Sequence, residues 1–329
     1  MLADSFGRVA TDLRVSLTDR CNLRCSYCMP AEGLDWLPSP LLLTDDEVIR
    51  LVRIGVEQLG ITEVRFTGGE PLLRRGLPGI IGRAAGLRPR PEISLTTNGI
   101  GLARLAEPLR AAGLDRINVS LDTLRPDTFK ALAKRDRLAD VLAGLAAAAA
   151  AEMVPVKVNS VLMRGINDDE AGPLLRYCLA HGYQLRFIEQ MPLDAQHGWR
   201  RENMVTADEI LAALSAEFAL TPDDPDQRGS APAEIFLVDD GPARVGVIGS
   251  VTRPFCGACD RVRLTADGQV RNCLFARDES DLRGPMRSGA TDEELAARWR
   301  RAVAAKLPGH GIDDPGFLQP ARPMSAIGG

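Results

Sequence analysis

Through the first 190 residues, short β-rich runs recur between longer stretches with helical spacing. The runs "DLRVSLT" (12–18), "EVRFTG" (63–68), "EISLTTN" (92–98), "RINVSLD" (116–122), "VPVKVNSVL" (154–162) and "QLRFIEQM" (184–191) predict six strands. Helical patterns lie between them at 44–59, 76–86, 102–112, 126–151 and 168–181. Thr44 followed by Asp45, Asp46 and Glu47 marks a helix start. The run "AGLAAAAAAE" belongs to the 126–151 helix, because alanine is the best helix former.

Strand–helix units in succession predict a parallel sheet with helical crossovers. An open doubly wound sheet and a barrel both fit; with six units a barrel would be partial. In either case ligands gather at the C-terminal strand ends. Those ends carry the loop after the first strand, "TGGEP" (67–71), "TTNG" (96–99), "SLD" (120–122), Lys157 with Asn159, and Glu189, Gln190 and Met191. Polar and glycine-rich residues thus recur along one edge.

The alternation stops near residue 191, so the chain divides into 1–190 and a C-terminal extension, 191–329. In the extension, 192–203 reads as loop, 206–217 as helix and the Pro/Asp/Gly-rich 221–233 as a connector. Two short strands, 234–239 and 244–249, flank "DDGP"; "TADGQ" then turns a hairpin, and a helix follows at 291–306.

The chain has 329 residues, 45% of them hydrophobic, with a net charge of -4. That supports a sizeable core and disfavours a general nucleic-acid binder. No apolar run approaches the roughly 18–20 residues of a membrane span, and "MLADSFGRVATDLR" lacks the pattern of a signal peptide. A cytoplasmic protein with no membrane partner is expected. Thiols stay reduced there, so clustered cysteines point to metal or catalysis.

Six of the seven cysteines form two triplets, Cys21, Cys25 and Cys28, and Cys256, Cys259 and Cys273. The seventh, Cys178, lies in a helix-like stretch and reads as a small buried hydrophobe. Structural zinc wants four ligands, and no histidine (181, 197 or 310) lies near Cys21. Three thiolates suit a [4Fe–4S] cluster with one iron left open. The second triplet admits the same reading or a zinc site that borrows a ligand. Arg261 and Arg263 alternate on a predicted strand and share a face. Arg14, Arg65 and Lys157 also lie within strands, a costly place for cations unless an anion meets them. Five such cations at one mouth point to a polyphosphate.

CxxxCxxC with a preceding aromatic, at the end of the first strand of a β/α domain, resembles the radical S-adenosylmethionine superfamily. "TGGEP" at the second strand end strengthens the likeness. With "LTTNG", "INVSLDTL", "VKVNSVLMRGIND", "RFIEQM", "PFCGACDRVRLTADGQVRNCLF" and the terminal "IGG", the chain resembles the GTP 3′,8-cyclase family of molybdenum cofactor biosynthesis. The segments span nearly the whole chain in order.

The resemblance implies an α/β fold, a partial (β/α)6 TIM-like barrel with a C-terminal α+β extension closing its mouth. It implies two [4Fe–4S] clusters, one on each triplet, and S-adenosyl-L-methionine. The implied activity is that of a radical lyase: a 5′-deoxyadenosyl radical takes the ribose 3′ hydrogen of GTP, and the carbon radical attacks C8 of guanine. Tyr27, Gly69, Ser120 and Met191 would contact S-adenosylmethionine. Arg14, Arg65, Thr96, Lys157, Arg261 and Arg263 would contact GTP, with Arg14, Arg261, Arg263, Gly328 and Gly329 serving catalysis. An external electron donor and a downstream cyclic pyranopterin monophosphate synthase are the implied partners; monomer and homodimer both remain open. The segment "PLDAQHGW" after Met191 is less acidic than the family pattern, which leaves loop contacts near Met191 open. Two competing readings are a peptide-modifying radical enzyme with an auxiliary cluster and a zinc-stabilised binding module.

Overall fold

The structure is a computed structural model that describes residues 1–224 and 228–328. A small antiparallel ladder, β1 (Leu2–Ala3) with β2 (Val9–Ala10), precedes the main sheet. Six parallel strands follow: β3 (Asp12–Ser16), β4 (Glu63–Thr67), β5 (Glu92–Thr97), β6 (Arg116–Ser120), β7 (Val156–Val161) and β8 (Gln184–Ile188). The crossovers are α1 (Asp45–Leu59), α2 (Leu77–Ala85), α3 (Leu102–Ala112), α4 (Pro126–Ala133), α5 (Leu138–Ala150) and α6 (Ala171–Ala180). Thr44 closes a capping box with Glu47, as its sequence context predicts.

The C-terminal region adds α7 (Ala207–Ser215), β9 (Leu220–Pro222), β10 (Glu234–Val238), β11 (Arg244–Ile248), β12 (Arg261–Leu264), β13 (Gln269–Arg271), β14 (Ser280–Asp281), α8 (Arg283–Arg287), α9 (Asp292–Ala304) and α10 (Met324–Ile327). Its strands extend both edges of the sheet: β11 joins β8 in parallel, and β12 joins β3 in parallel. The twelve-strand order runs from β14 to β9 without the two ends pairing. The barrel is therefore partial and open. Alternate residues such as Leu13, Val15, Val64, Phe66, Ile93 and Leu95 are buried beneath the helices, and the intervening residues line the concave side.

The single helix expected at 126–151 is two. The break at "KRDR" puts Lys134 at φ 56° in the left-handed region. It frees the last carbonyls of α4, and Leu132 and Ala133 accept hydrogen bonds from the backbone N–H groups of Ser26 and Arg24. The helix ends where the cysteine loop must dock. Cys178 is fully buried, as expected of a packing residue. Within the connector, 225–227 lie outside the described residues. Among the described residues no helix is long and apolar enough to cross a membrane.

Candidate active site

The C-terminal strand ends enclose two adjoining cavities. The first is lined by Cys21, Cys25 and Cys28 together with Tyr27, Gly68, Gly69 and Asn98. The second is lined by Cys256, Cys259 and Cys273 with Arg14, Arg65, Arg186, Arg261 and Arg263. They share Tyr27, Thr96, Ser120, Asp122 and Met324, so they are two chambers of one cleft.

The cysteine loop is held by backbone contacts from three sides. Cys28 and Met29 donate to the Cys25 carbonyl, which folds the loop into a turn. Gly69 and Glu70 donate N–H bonds of 2.8 Å to the Thr18 and Arg20 carbonyls. A Cβ on Gly68 would sit 2.4 Å from the Thr18 oxygen, and one on Gly69 would sit 2.4 Å from the Arg20 oxygen. These glycines are required first by the close approach of strand end to cysteine loop. Glu70 is fully buried and accepts from Thr97 Oγ1 and from the N–H groups of Leu72 and Asn98; burial pushes its carboxyl up to about 7. The Asn98 amide reaches Asn22 at 2.7 Å and the Cys21 sulfur at 3.7 Å.

All six clustered cysteines are free thiols. Burial pushes Cys21 up to about 11 and Cys28 to about 12. Three soft sulfurs around one cavity, with backbone and amide donors turned toward them, fit a thiolate-bound iron–sulfur cluster. In the second chamber burial works against the Cys259 thiolate. The charges of Arg261 and Lys306 and the hydrogen bonds they and their backbone supply outweigh it, and the thiol falls to about 7. His310 lines this chamber, but its Nε2 meets the Ser250 carbonyl and its Nδ1 the Ile312 N–H. Both ring nitrogens are engaged, so His310 is not a fourth ligand to the triplet.

Cations form rows across the sheet. Arg263, Arg14 and Arg65 are neighbours in register on β12, β3 and β4. Asn159 and Arg186 are neighbours on β7 and β8. Asp12 supplies the nearest carboxylate, 3.7 Å from Arg14 and 4.0 Å from Arg65. Four positive groups, Arg14, Arg65, Arg261 and Arg263, outweigh its burial and hold its carboxyl low. Burial, and then Arg65, draws the Arg14 guanidinium well below its ordinary value; burial lowers Arg263 and Arg186 to about 10. Among the described residues, the buried Nε atoms of Arg14, Arg186 and Arg261 and the Oδ1 of Asn159 have no hydrogen-bond partner. Buried donors without partners cost folding energy unless a ligand meets them. Arg261 also lies over the Phe255 ring, 4.6 Å from its centroid.

Of the expected S-adenosylmethionine contacts, Tyr27, Gly69 and Ser120 line the cysteine chamber, whereas Met191 lines the second. Of the expected GTP contacts, Arg14, Arg65, Thr96, Arg261 and Arg263 line the second chamber. Lys157 does not. It lies one step below Asn159 on β7, is 8% exposed, and is drawn down to about 7 by burial and by Arg186, Arg116 and Arg65. Arg186 takes the place expected of it at the cavity wall. The sequence signal for Arg186 was the one that marked Arg14 and Arg65, a cation inside a strand. Asp122 was likewise passed over as a site residue; it accepts a 2.7 Å hydrogen bond from the Tyr27 hydroxyl, and burial pushes it to about 6.

The C-terminal tail enters the cleft. Ile327 is fully buried, and the Gly328 carbonyl accepts a 2.6 Å bond from Arg263. Gly328 has φ 79°, and a Cβ there would stand 2.4 Å from Ser16 Oγ and 2.7 Å from Thr67 Cγ2. Gly329 lies outside the described residues.

The family model for the radical SAM superfamily matches residues 15–178, and that for Molybdenum Cofactor Synthesis C matches 183–312. The chain is 69% identical to a protein of Streptomyces coelicolor named GTP 3′,8-cyclase, over all of this chain and 96% of that one. It is 63% identical to a Mycolicibacterium smegmatis protein of the same name, over all of this chain and 92% of that protein. Among solved structures, Streptococcus suis SuiB shares the fold with a TM-score of 0.59 at 12% identity, over 93% of this chain and 68% of that one. On these similarities the chain belongs to the GTP 3′,8-cyclase family of the radical SAM superfamily.

Proposed function

We propose that this protein is a radical SAM GTP 3′,8-cyclase that converts GTP to 3′,8-cyclo-7,8-dihydro-GTP in the first step of molybdenum cofactor biosynthesis. The observation that carries the reading is the single cleft that joins a three-cysteine chamber to a second chamber floored by in-register arginines. Cys21, Cys25 and Cys28 would hold one [4Fe–4S] cluster, and Cys256, Cys259 and Cys273 a second. Bound in the first chamber, a cluster and S-adenosylmethionine supply one-electron chemistry that reaches an unactivated C–H bond, which no side chain does alone.

The protein's own residues position and shield. Arg14, Arg65, Arg186 and Arg263 offer fixed donors to a triphosphate, and their forked geometry matches its oxygens. Asn159 and Thr96 line the same chamber and would offer polar atoms to ribose or base. Gly328 keeps Arg263 aimed into the cleft, and the tail narrows access for water. Holding both reactants in adjoining chambers makes their encounter effectively intramolecular. The reading extends to a cytoplasmic enzyme that draws electrons from an external donor and passes its product to a downstream synthase.

Binding of GTP and of guanosine to the anaerobic, cluster-loaded protein tests the arginine floor. Arg14→Met and Arg186→Met each remove charge-assisted bonds worth about 1.5–3 kcal/mol. GTP affinity should fall on the order of 10- to 100-fold, with little change for guanosine. Equal losses for both ligands would contradict a phosphate role.

A further inference from the structure

Lys306 sits just beyond the end of α9 and is 5% exposed. Its ammonium donates to the Cys259 sulfur at 3.2 Å, and to the Cys259 and Arg261 carbonyls at 3.1 Å each. No carboxylate among the described residues forms an ion pair with it. A buried ammonium surrounded only by neutral acceptors is poorly compensated. A thiolate at Cys259 supplies the missing negative charge, and metal binding is what makes that thiolate permanent.

The same short segment also reaches the neighbourhood of Cys273. The Ala302 carbonyl, in the last turn of α9, accepts a 2.8 Å bond from the Asn272 side chain, beside Cys273. The segment 302–306 therefore holds Cys259 directly through Lys306 and steadies the stretch that carries Cys273 through Asn272. Hydrogen bonds and positive charge at cluster sulfurs stabilise the reduced, more negative state.

We propose that Lys306 is a positioning residue that fixes the Cys259 sulfur and raises the reduction potential of a cluster held by Cys256, Cys259 and Cys273. The inference rests on the reading of that triplet as a cluster site. Its role differs from those of the arginines, which face substrate. Lys306 touches neither chamber's open side and acts through the ligand alone.

The test uses the full chain with Cys21, Cys25 and Cys28 all replaced by Ser, so that only the C-terminal cluster is observed. Iron content and the signal of the reduced cluster come first. An iron-free protein would overturn the cluster reading itself. With iron present, a potentiometric titration followed by electron paramagnetic resonance compares Lys306 with Lys306→Met and Lys306→Arg. Lys306→Met should make reduction at least tenfold less favourable, a drop of about 59 mV for one electron. Lys306→Arg should restore most of the potential. If Lys306→Met fails to retain iron, Lys306→Gln, which keeps a donor and removes the charge, is measured in its place with the same expected direction. An unchanged potential in an iron-loaded Lys306→Met or Lys306→Gln protein overturns the proposal and leaves the cluster reading intact.

Discussion

Lys157 offers a single-residue test of the proposed polyphosphate site. It is drawn from 10.5 to about 7 by burial, with Arg186, Arg116 and Arg65 adding to the effect. Below that value it is charged; above it, it is mostly neutral. A polyphosphate favours the charged form and lifts the value again. Binding GTP above pH 7 therefore takes up a proton, and affinity falls as pH rises from about 7 toward 9. Calorimetry in buffers of different ionisation enthalpy should record the uptake, and Lys157→Met should abolish the part that Lys157 carries. Identical uptake in both proteins would assign the pH dependence elsewhere. This residue was visible in the sequence as a strand cation, but its depth was not. Strand parity gives the face, while position along the tilted strand decides whether a side chain reaches the cavity, as Arg186 does, or lies beneath it.

At the scale of elements, the cysteine loop depends on neighbours that a local reading does not connect. Its spacing and its place after the first strand were legible, and so was the glycine-rich end of β4. The reason for the glycines was not. Gly68 and Gly69 press against the carbonyls of Thr18, Asp19 and Arg20, a long-range packing demand that no local pattern displays. The break between α4 and α5 was missed for a related reason. Alanine-rich propensity hides a boundary that exists to present the Leu132 and Ala133 carbonyls to the loop. Gly69→Ala forces a Cβ to within 2.5 Å of two backbone oxygens, which cannot swing aside as a side chain would. The expected outcome is loss of the N-terminal cluster, with iron per chain falling to about half of eight given two cubane clusters. The C-terminal cluster should persist. Full iron loading in Gly69→Ala would show that the loop tolerates displacement.

Across the whole molecule, chain order and spatial order diverge, and function lies in the difference. The two ends of the sequence meet: β12 pairs with β3, and Gly328 rests against Ser16 and Thr67. The C-terminal region is thus both an extension of the sheet and a wall of the cleft. The sequence showed six β/α units and a changed pattern after residue 191, because periodicity is local. The join of β11 to β8 and of β12 to β3 is long-range, so only the family resemblance hinted at a closed mouth. The proposed function requires that both chambers serve one reaction on GTP. Its most direct test is anaerobic turnover of the reconstituted full chain with GTP, S-adenosylmethionine and a one-electron reductant, followed by mass spectrometry. 5′-Deoxyadenosine and a cyclised nucleotide of unchanged guanosine-triphosphate mass should appear together, and replacing Cys256, Cys259 and Cys273 by Ser should abolish the cyclised nucleotide. Cyclisation that survives loss of those three cysteines, or GTP recovered unaltered from a protein with both clusters loaded, would contradict it.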